Sequence, residues 1–328
     1  MSPPTPNTTT LSHHLLTNPN TPILLDGALA THLESLGASI PTPLWSASLL
    51  LTRPSLIQRA HLDYFRAGAN VAITASYQAS IPGLVEGLDI DEETAMRIVR
   101  LSVELAQSAR DECAIEDPGK KMWIAGSIGP YGAYLANGSE YTGAYTLPYS
   151  AMKDFHRDRI AALIDAGVDV LACETMPSKA EVVALLELLE TEFPETESWF
   201  TFTLREGDAT CISDGTPISS IAQLFTNTPN VVGMGFNCVP DDAALAALKI
   251  LRPLTDKCLV VYPNSGESWN AERREWEGAR VQGEGLRGKV GEWWGAGARM
   301  IGGCCRVGPG DIEVMGEALK EIEEEEMR

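Results

Sequence analysis

The sequence is poor in basic residues and contains no long apolar run. Of its 328 residues, 25 are Lys or Arg and 45 are Asp or Glu, so the formal net charge is −20. A protein that binds the phosphate backbone of nucleic acids needs a basic face, so this composition excludes nucleic acid as a partner. No apolar stretch approaches the length of about 18 residues that a membrane span needs, so we expect no membrane partner either.

Cysteine is also scarce, with seven residues that are widely spaced and odd in number. The first twenty residues lack the apolar segment of a secretory signal, so we expect reduced thiols and a cytoplasmic location. Cys304 and Cys305 are adjacent. Neighbouring Cα atoms are about 3.8 Å apart, which is shorter than a relaxed disulfide spans. Two adjacent thiols that do not bridge each other favour a metal-binding site over a disulfide.

Short apolar runs alternate with amphipathic helical segments along the chain. Helix starts are predicted at Asp91, at Ser150, and at a capping box formed by Ser178 and Glu181. This alternation predicts a single-domain α/β protein, a (β/α)8 barrel of the TIM type, over residues 21–320. We expect residues 1–20 to be a disordered tail and residues 321–328 an acidic tail. The eight predicted strands are 23–26, 71–76, 122–127, 168–174, 199–204, 231–237, 258–263 and 299–302.

Three of the cysteines follow predicted strands, at the barrel end where active sites form. Cys238 follows strand six, and Cys304 and Cys305 follow strand eight. Three thiolates with an open fourth position are a ligand set of catalytic zinc, and soft sulfur favours zinc over magnesium or calcium. The alternative is three buried cysteines that act as small apolar side chains. The strand-end positions and the preceding glycine pair, expected to supply close approach and positive φ, favour one zinc ion per chain.

A zinc site rich in thiolates favours a nucleophilic sulfur over an activated water, so the predicted reaction is alkyl transfer to a substrate thiol. Asp26 and Glu174 end strands one and four. They are predicted to anchor an ammonium group, although an acid–base pair or simple helix capping would place acids there too. Two alternatives stay open: a zinc-dependent barrel hydrolase or lyase, and a protein that stores or senses zinc.

Several segments of the chain resemble the homocysteine S-methyltransferase family. Residues 26–31, 235–238 and 302–306 have the sequences DGALAT, GFNC and GGCCR. Further segments agree at 74–79, 126–135, 213–217 and 261–267, and the resemblance spans about residues 22–315. The chain is similar to the branch of this family that uses sulfonium methyl donors, either S-methylmethionine or S-adenosylmethionine. The resemblance implies methyl transfer from such a donor to the thiolate of homocysteine, which yields methionine.

The resemblance also implies roles for single residues. Cys238, Cys304 and Cys305 would bind zinc at the catalytic centre, and Asp26 and Glu174 would hold the homocysteine ammonium. The remaining predicted substrate contacts are Gly27, Ala28, Ser127 and Asn237. Aromatic rings attract a sulfonium cation through their faces, and the candidate donor contacts are Tyr77, Tyr131, Tyr134 and Asn264. Thr175, which follows Glu174, argues against a tyrosine as fourth zinc ligand.

Overall fold

The computed structural model describes residues 9–39, 47–270 and 275–326, and eight parallel strands form its centre. Each barrel strand pairs with the next one along the chain, and strand one pairs with strand eight through Ile23 and Met300. A bridge between Leu25 and Val71 joins strand one to strand two and closes the ring. The predicted (β/α)8 barrel is confirmed. The eight barrel strands are Ile23–Leu24, Val71–Ile73, Trp123–Ile128, Val170–Met176, Ser198–Phe202, Val231–Asn237, Cys258–Tyr262 and Ala298–Ile301.

Helices surround this ring, and side chains that alternate along each strand fill two apolar layers. The inner layer includes Trp123, Trp199 and Met300, and the outer layer lies between strands and helices. Two antiparallel hairpins pair Leu204–Arg205 with Asp208–Ile212 and Ser268–Asn270 with Glu275–Glu277. The helices after strand one are Leu29–Ser35, Ala47–Thr52, Pro54–Arg66, Ile81–Leu88, Glu92–Glu116, Tyr131–Leu135, Tyr149–Asp165, Lys179–Glu192, Ile218–Ala222, Asp241–Leu251, Gly283–Gly295 and Pro309–Glu326, with 3-10 turns at Ser139–Tyr141, Gln223–Phe225 and Arg252–Leu254.

The predicted helix starts have different outcomes. The Asp91 side chain accepts a hydrogen bond from the Thr94 amide at 2.7 Å, so this start is confirmed. The helix expected from Ser150 begins one residue earlier, at Tyr149. The capping box is wrong, because Ser178 precedes Lys179–Glu192 without a side-chain cap and Glu181 is turned into a buried network.

Both of the predicted tails contain helical residues. Residues Leu11–Thr17 form a helix, and Leu11 is fully buried among the apolar side chains inside the barrel. The prediction of a disordered tail over residues 1–20 is therefore wrong for this segment. Helix Pro309–Glu326 continues through most of the predicted acidic tail, and Trp294 donates to Glu326 at 2.7 Å. Within the described ranges, every helix is too short or too polar to cross a membrane.

Strands six and seven approach each other closely at Gly235, because a Cβ at this position would overlap the carbonyl oxygen of Val260. Gly235→Ala is therefore expected to lower the free energy of unfolding by about 3 kcal/mol, since the backbones of strands six and seven cannot move apart freely. Gly291→Ala is the matched control, because its Cβ would meet no atom within 4 Å. The control should gain up to about 1 kcal/mol from helix propensity. Urea unfolding of both variants checks this, and equal stability would contradict the close approach.

Candidate metal and substrate site

The sulfur atoms of Cys238, Cys304 and Cys305 meet at the carboxyl end of the barrel. All three lie within 4.8 Å of one another, and the Sγ atoms of Cys238 and Cys305 are 3.9 Å apart. Backbone hydrogen bonds hold them there: the Cys304 amide donates to Pro263 at 2.7 Å and the Cys238 amide donates to Tyr262 at 3.3 Å. The barrel thus brings together cysteines that are 66 residues apart in sequence.

The donor set of this sulfur cluster fits zinc. Two thiolates bound tetrahedrally to one zinc ion, each at about 2.3 Å, would be about 3.8 Å apart, close to the separation of Cys238 and Cys305. The sulfur atoms of Cys238 and Cys304 are in direct contact, with Cα atoms 5.4 Å apart. A metal held by all three sulfurs requires both residues as thiolates. Burial raises the pKa of Cys305 to about 11, so a cation is needed to keep it ionised at neutral pH.

The glycine pair before these cysteines is needed for packing. A Cβ on Gly302 would lie 2.6 Å from Cβ of Leu25, and a Cβ on Gly303 would overlap the Val307 side chain. Neither glycine has the positive φ that was expected; among residues near the sulfurs, Cys238 and Arg306 have it instead, at 51° and 70°. The loop that carries the cysteines can therefore pack beside strand one because Gly302 and Gly303 have no side chains.

Asp26 and Glu174 are both buried at this end of the barrel, with 2% and 7% of their surfaces exposed. The Ile73 amide donates to Asp26 at 2.8 Å, and the Ser127 hydroxyl donates to Glu174. Burial raises the pKa of Asp26 well above its usual value, and the charge of Glu174 adds to this. Burial also raises the pKa of Glu174 to about 7. A cationic group would stabilise the ionised form of two carboxyls whose ionisation is disfavoured by burial.

Tyr262, at the end of strand seven, was not predicted as a site residue. Its hydroxyl bonds with Glu174 and with Thr201 at 2.8 Å, and it accepts from Trp199 at 3.3 Å. Its position as the last residue of a barrel strand is the signal that could have identified it. Together with Ser127, it holds the carboxylate of Glu174 in one orientation.

The predicted substrate contacts Asn237, Gly27 and Ala28 bond with neighbouring segments of the barrel end. The side-chain amide of Asn237 is engaged by Thr175, whose amide donates to its oxygen and whose hydroxyl accepts from its nitrogen, both at 2.8 Å. Asn237 therefore aligns the ends of strands four and six. Gly27 and Ala28 lie against Val307, since the Ala28 amide donates to the Val307 carbonyl at 2.9 Å. This contact joins the loop of Asp26 to the cysteine loop.

The four candidate donor contacts separate into two groups. The half-buried Tyr77 bonds with the Thr175 side chain and lies close to Glu174. The side-chain oxygen of Asn264, beside the cysteine loop, is buried without a hydrogen-bond partner in the described part of the chain. In contrast, the rings of Tyr131 and Tyr134 pack against Phe155, with centroids 5.0 and 5.6 Å away. The structure thus places Tyr77 and Asn264 near the site and Tyr131 and Tyr134 in an aromatic cluster.

A buried polar network supports the loops that follow strands two and three. Arg159, 1% exposed, donates to the carbonyl oxygens of Tyr77 and Gly129 at 3.1 and 2.6 Å. It also donates to Nδ1 of His156, whose Nε2 bonds with Glu181 at 2.7 Å. Burial lowers the pKa of His156, which is consistent with a neutral ring between the two charged partners. No local sequence pattern indicated this network, because its members join only in the folded barrel.

The chain is similar to several known proteins. The family profile described as homocysteine S-methyltransferase matches residues 23–319. The homocysteine S-methyltransferase of Escherichia coli is 47% identical over 294 residues, which cover 89% of this chain and 94% of that protein. The selenocysteine methyltransferase of Astragalus bisulcatus is 40% identical, over 88% and 90% of the two chains. The metallated crystal structure of the E. coli homocysteine methyltransferase MmuM has a TM-score of 0.84 and 45% identity, and covers 93% of this chain and 99% of that one.

Proposed function

Because this chain belongs to the homocysteine S-methyltransferase family and is a homocysteine methyltransferase, we propose that it uses zinc and a sulfonium methyl donor. The observation that carries the proposal is the convergence of three cysteine sulfurs at the barrel end that also holds two buried acids. Sulfur ligands suit a metal that activates a thiol, and buried acids suit a substrate with an ammonium group. Homocysteine has both groups.

Cys238, Cys304 and Cys305 are the proposed zinc ligands, with one ion per chain. When bound, zinc would lower the pKa of the homocysteine thiol from its usual value of about 8.5, so that the thiolate is available at neutral pH. The fourth position is left for the substrate, since Thr175 stands where a tyrosine ligand would be needed.

Asp26 and Glu174 are the proposed anchors for the homocysteine ammonium. Their carboxylates are already oriented by the Ile73 amide, the Ser127 hydroxyl and the Tyr262 hydroxyl, so little ordering is left for the binding step. The backbone at Gly27 and Ala28 lies beside them, held by Val307. This arrangement fixes the amino-acid end of the substrate relative to the sulfur cluster.

The proposed methyl transfer is a direct displacement. The homocysteine thiolate forms a bond to the methyl carbon, the bond from that carbon to the donor sulfur breaks, and its electron pair returns to the donor sulfur as a neutral thioether. An anion and a cation combine, so charge disappears in the transition state, and a site that excludes water assists the reaction. Correct placement of two reactants supplies much of the remaining acceleration.

The decisive experiment combines purified zinc-loaded protein with homocysteine and one methyl-labelled donor at a time. We expect labelled methionine from S-methylmethionine or S-adenosylmethionine, and the ratio of the two values of kcat/KM identifies the preferred donor. Selenocysteine in place of homocysteine tests the alternative acceptor in the same assay. Formation of no labelled methionine with either sulfonium donor would contradict the proposal.

A further inference from the structure

A carboxylate with an unused oxygen lies near the barrel mouth, outside the residues assigned above. Glu140 belongs to the 3-10 turn Ser139–Tyr141, which packs beside strand four. Its Oε2 atom is buried and has no hydrogen-bond partner among the described residues, while its own backbone N–H donates to the carboxylate. A buried charged oxygen without a partner is unfavourable, so a ligand that donates to it would be stabilised.

The turn that carries Glu140 is held in one place. The Thr203 hydroxyl, at the end of strand five, donates to the carbonyl oxygen of Glu140 at 3.1 Å. The Ser213 hydroxyl in turn donates to Thr203 at 2.7 Å. Gly132 leaves the space that the turn occupies, since a Cβ there would lie 2.6 Å from the Glu140 nitrogen. The backbone that carries the carboxylate is therefore held in one place before any ligand binds.

The neighbours of Glu140 connect it to the sulfur site. Burial raises the pKa of Tyr77, and the charges of Tyr141 and Glu140 raise it further. The Tyr77 side chain also bonds with Thr175. The turn that carries Glu140 contacts strand four, which includes Glu174, so Glu140 lies at the same end of the barrel as the sulfurs.

We propose that Glu140 binds the α-ammonium group of the sulfonium donor. The inference rests on the proposed function, in which both substrates are amino acids. Asp26 and Glu174 hold one ammonium group, and a second amino acid needs a second anion. In the described part of the chain, no lysine or arginine pairs with Glu140, so its carboxylate is available for this role. Its place at the carboxyl end of the barrel suits the ammonium end of the donor, while the sulfonium end approaches the cysteines.

The test is Glu140→Gln in the zinc-loaded full-length enzyme, with S-methylmethionine as donor. The KM for the donor should rise about tenfold to a hundredfold, because one charge-assisted hydrogen bond is lost. The KM for homocysteine should stay within twofold. A donor analogue without the amino group, a dimethylsulfonium carboxylic acid, should bind both enzymes equally, measured as turnover or as competitive inhibition.

Glu86→Gln is the matched control, because Glu86 is an exposed acid that accepts from Tyr134 at 2.9 Å and its loss makes the same change in net charge. It should leave both KM values unchanged. An unchanged donor KM in Glu140→Gln, or an equal rise in both KM values, would overturn the assignment of Glu140. If the wild-type enzyme forms no methionine from any sulfonium donor, the proposed function itself fails, so the two failures are distinguishable.

Discussion

Replacement of Cys304 by serine is expected to abolish zinc binding and to lower methyl transfer by at least about a thousandfold. A serine hydroxyl is a poor ligand for zinc, and two remaining cysteines do not complete the site. Without the metal, the homocysteine thiol keeps its ordinary pKa and little thiolate is present. The zinc content of the purified variant and its rate of methionine formation provide the measurement. A variant that turns over normally without bound metal would disprove the metal-dependent mechanism.

Cys211→Ser is the control for the cysteine experiment. Cys211 lies in the hairpin strand Asp208–Ile212 and has a free thiol away from the sulfur cluster. This variant should retain zinc and activity. Removal of zinc from the wild-type enzyme with a chelator should reproduce the Cys304→Ser result, and added zinc should restore activity only in the wild type. The preparation is reduced before zinc is added, because only cysteine thiolates serve as zinc ligands.

Glu174→Gln is expected to raise the KM for homocysteine about a hundredfold, with kcat changed by only a few-fold. The amide keeps the shape of the side chain but removes the charge that attracts the ammonium group. The buried Asp26 remains, so binding is weakened rather than lost. Steady-state kinetics with saturating donor give both constants. Glu187→Gln, at an exposed acid on the helix after strand four, should behave as the wild type, and an unchanged KM in Glu174→Gln would remove Glu174 from the site.

The same variant tests the pH dependence. Burial raises the pKa of Glu174 from an ordinary 4.5 to about 7, against the opposing effects of Ser127, Tyr262 and the charge of Arg159. Only the ionised carboxylate attracts the ammonium, so kcat/KM for homocysteine should rise as the pH increases through about 7. The Glu174→Gln variant should lose this rise in kcat/KM near pH 7. Any rise caused by ionisation of the homocysteine thiol should remain in both enzymes. Identical profiles would contradict the assignment.

The sequence predicted the barrel because strand and helix patterns are local. Each of the eight predicted strands overlaps an observed strand, and the ends differ by at most a few residues. Parallel strands buried on both faces are short apolar runs, and these are visible in any window of the chain. Two of the wrong predictions, those for the tail helix Leu11–Thr17 and the capping box at Ser178, have a common cause. In each, a distant partner decided the outcome: the barrel interior for Leu11 and His156 for Glu181.

The sequence alone also identified Cys238, Cys304, Cys305, Asp26 and Glu174 as candidates, because a parallel barrel brings all strand ends to one face whatever the side chains are. Only the tertiary structure decided what surrounds them. It places Tyr262 and Ser127 on Glu174, occupies Asn237 with Thr175, and leaves Glu140 with an unused oxygen. The physical reason is that a strand end follows from local periodicity. The partner of a buried polar group depends on contacts between residues far apart in the chain, and no local pattern encodes those contacts.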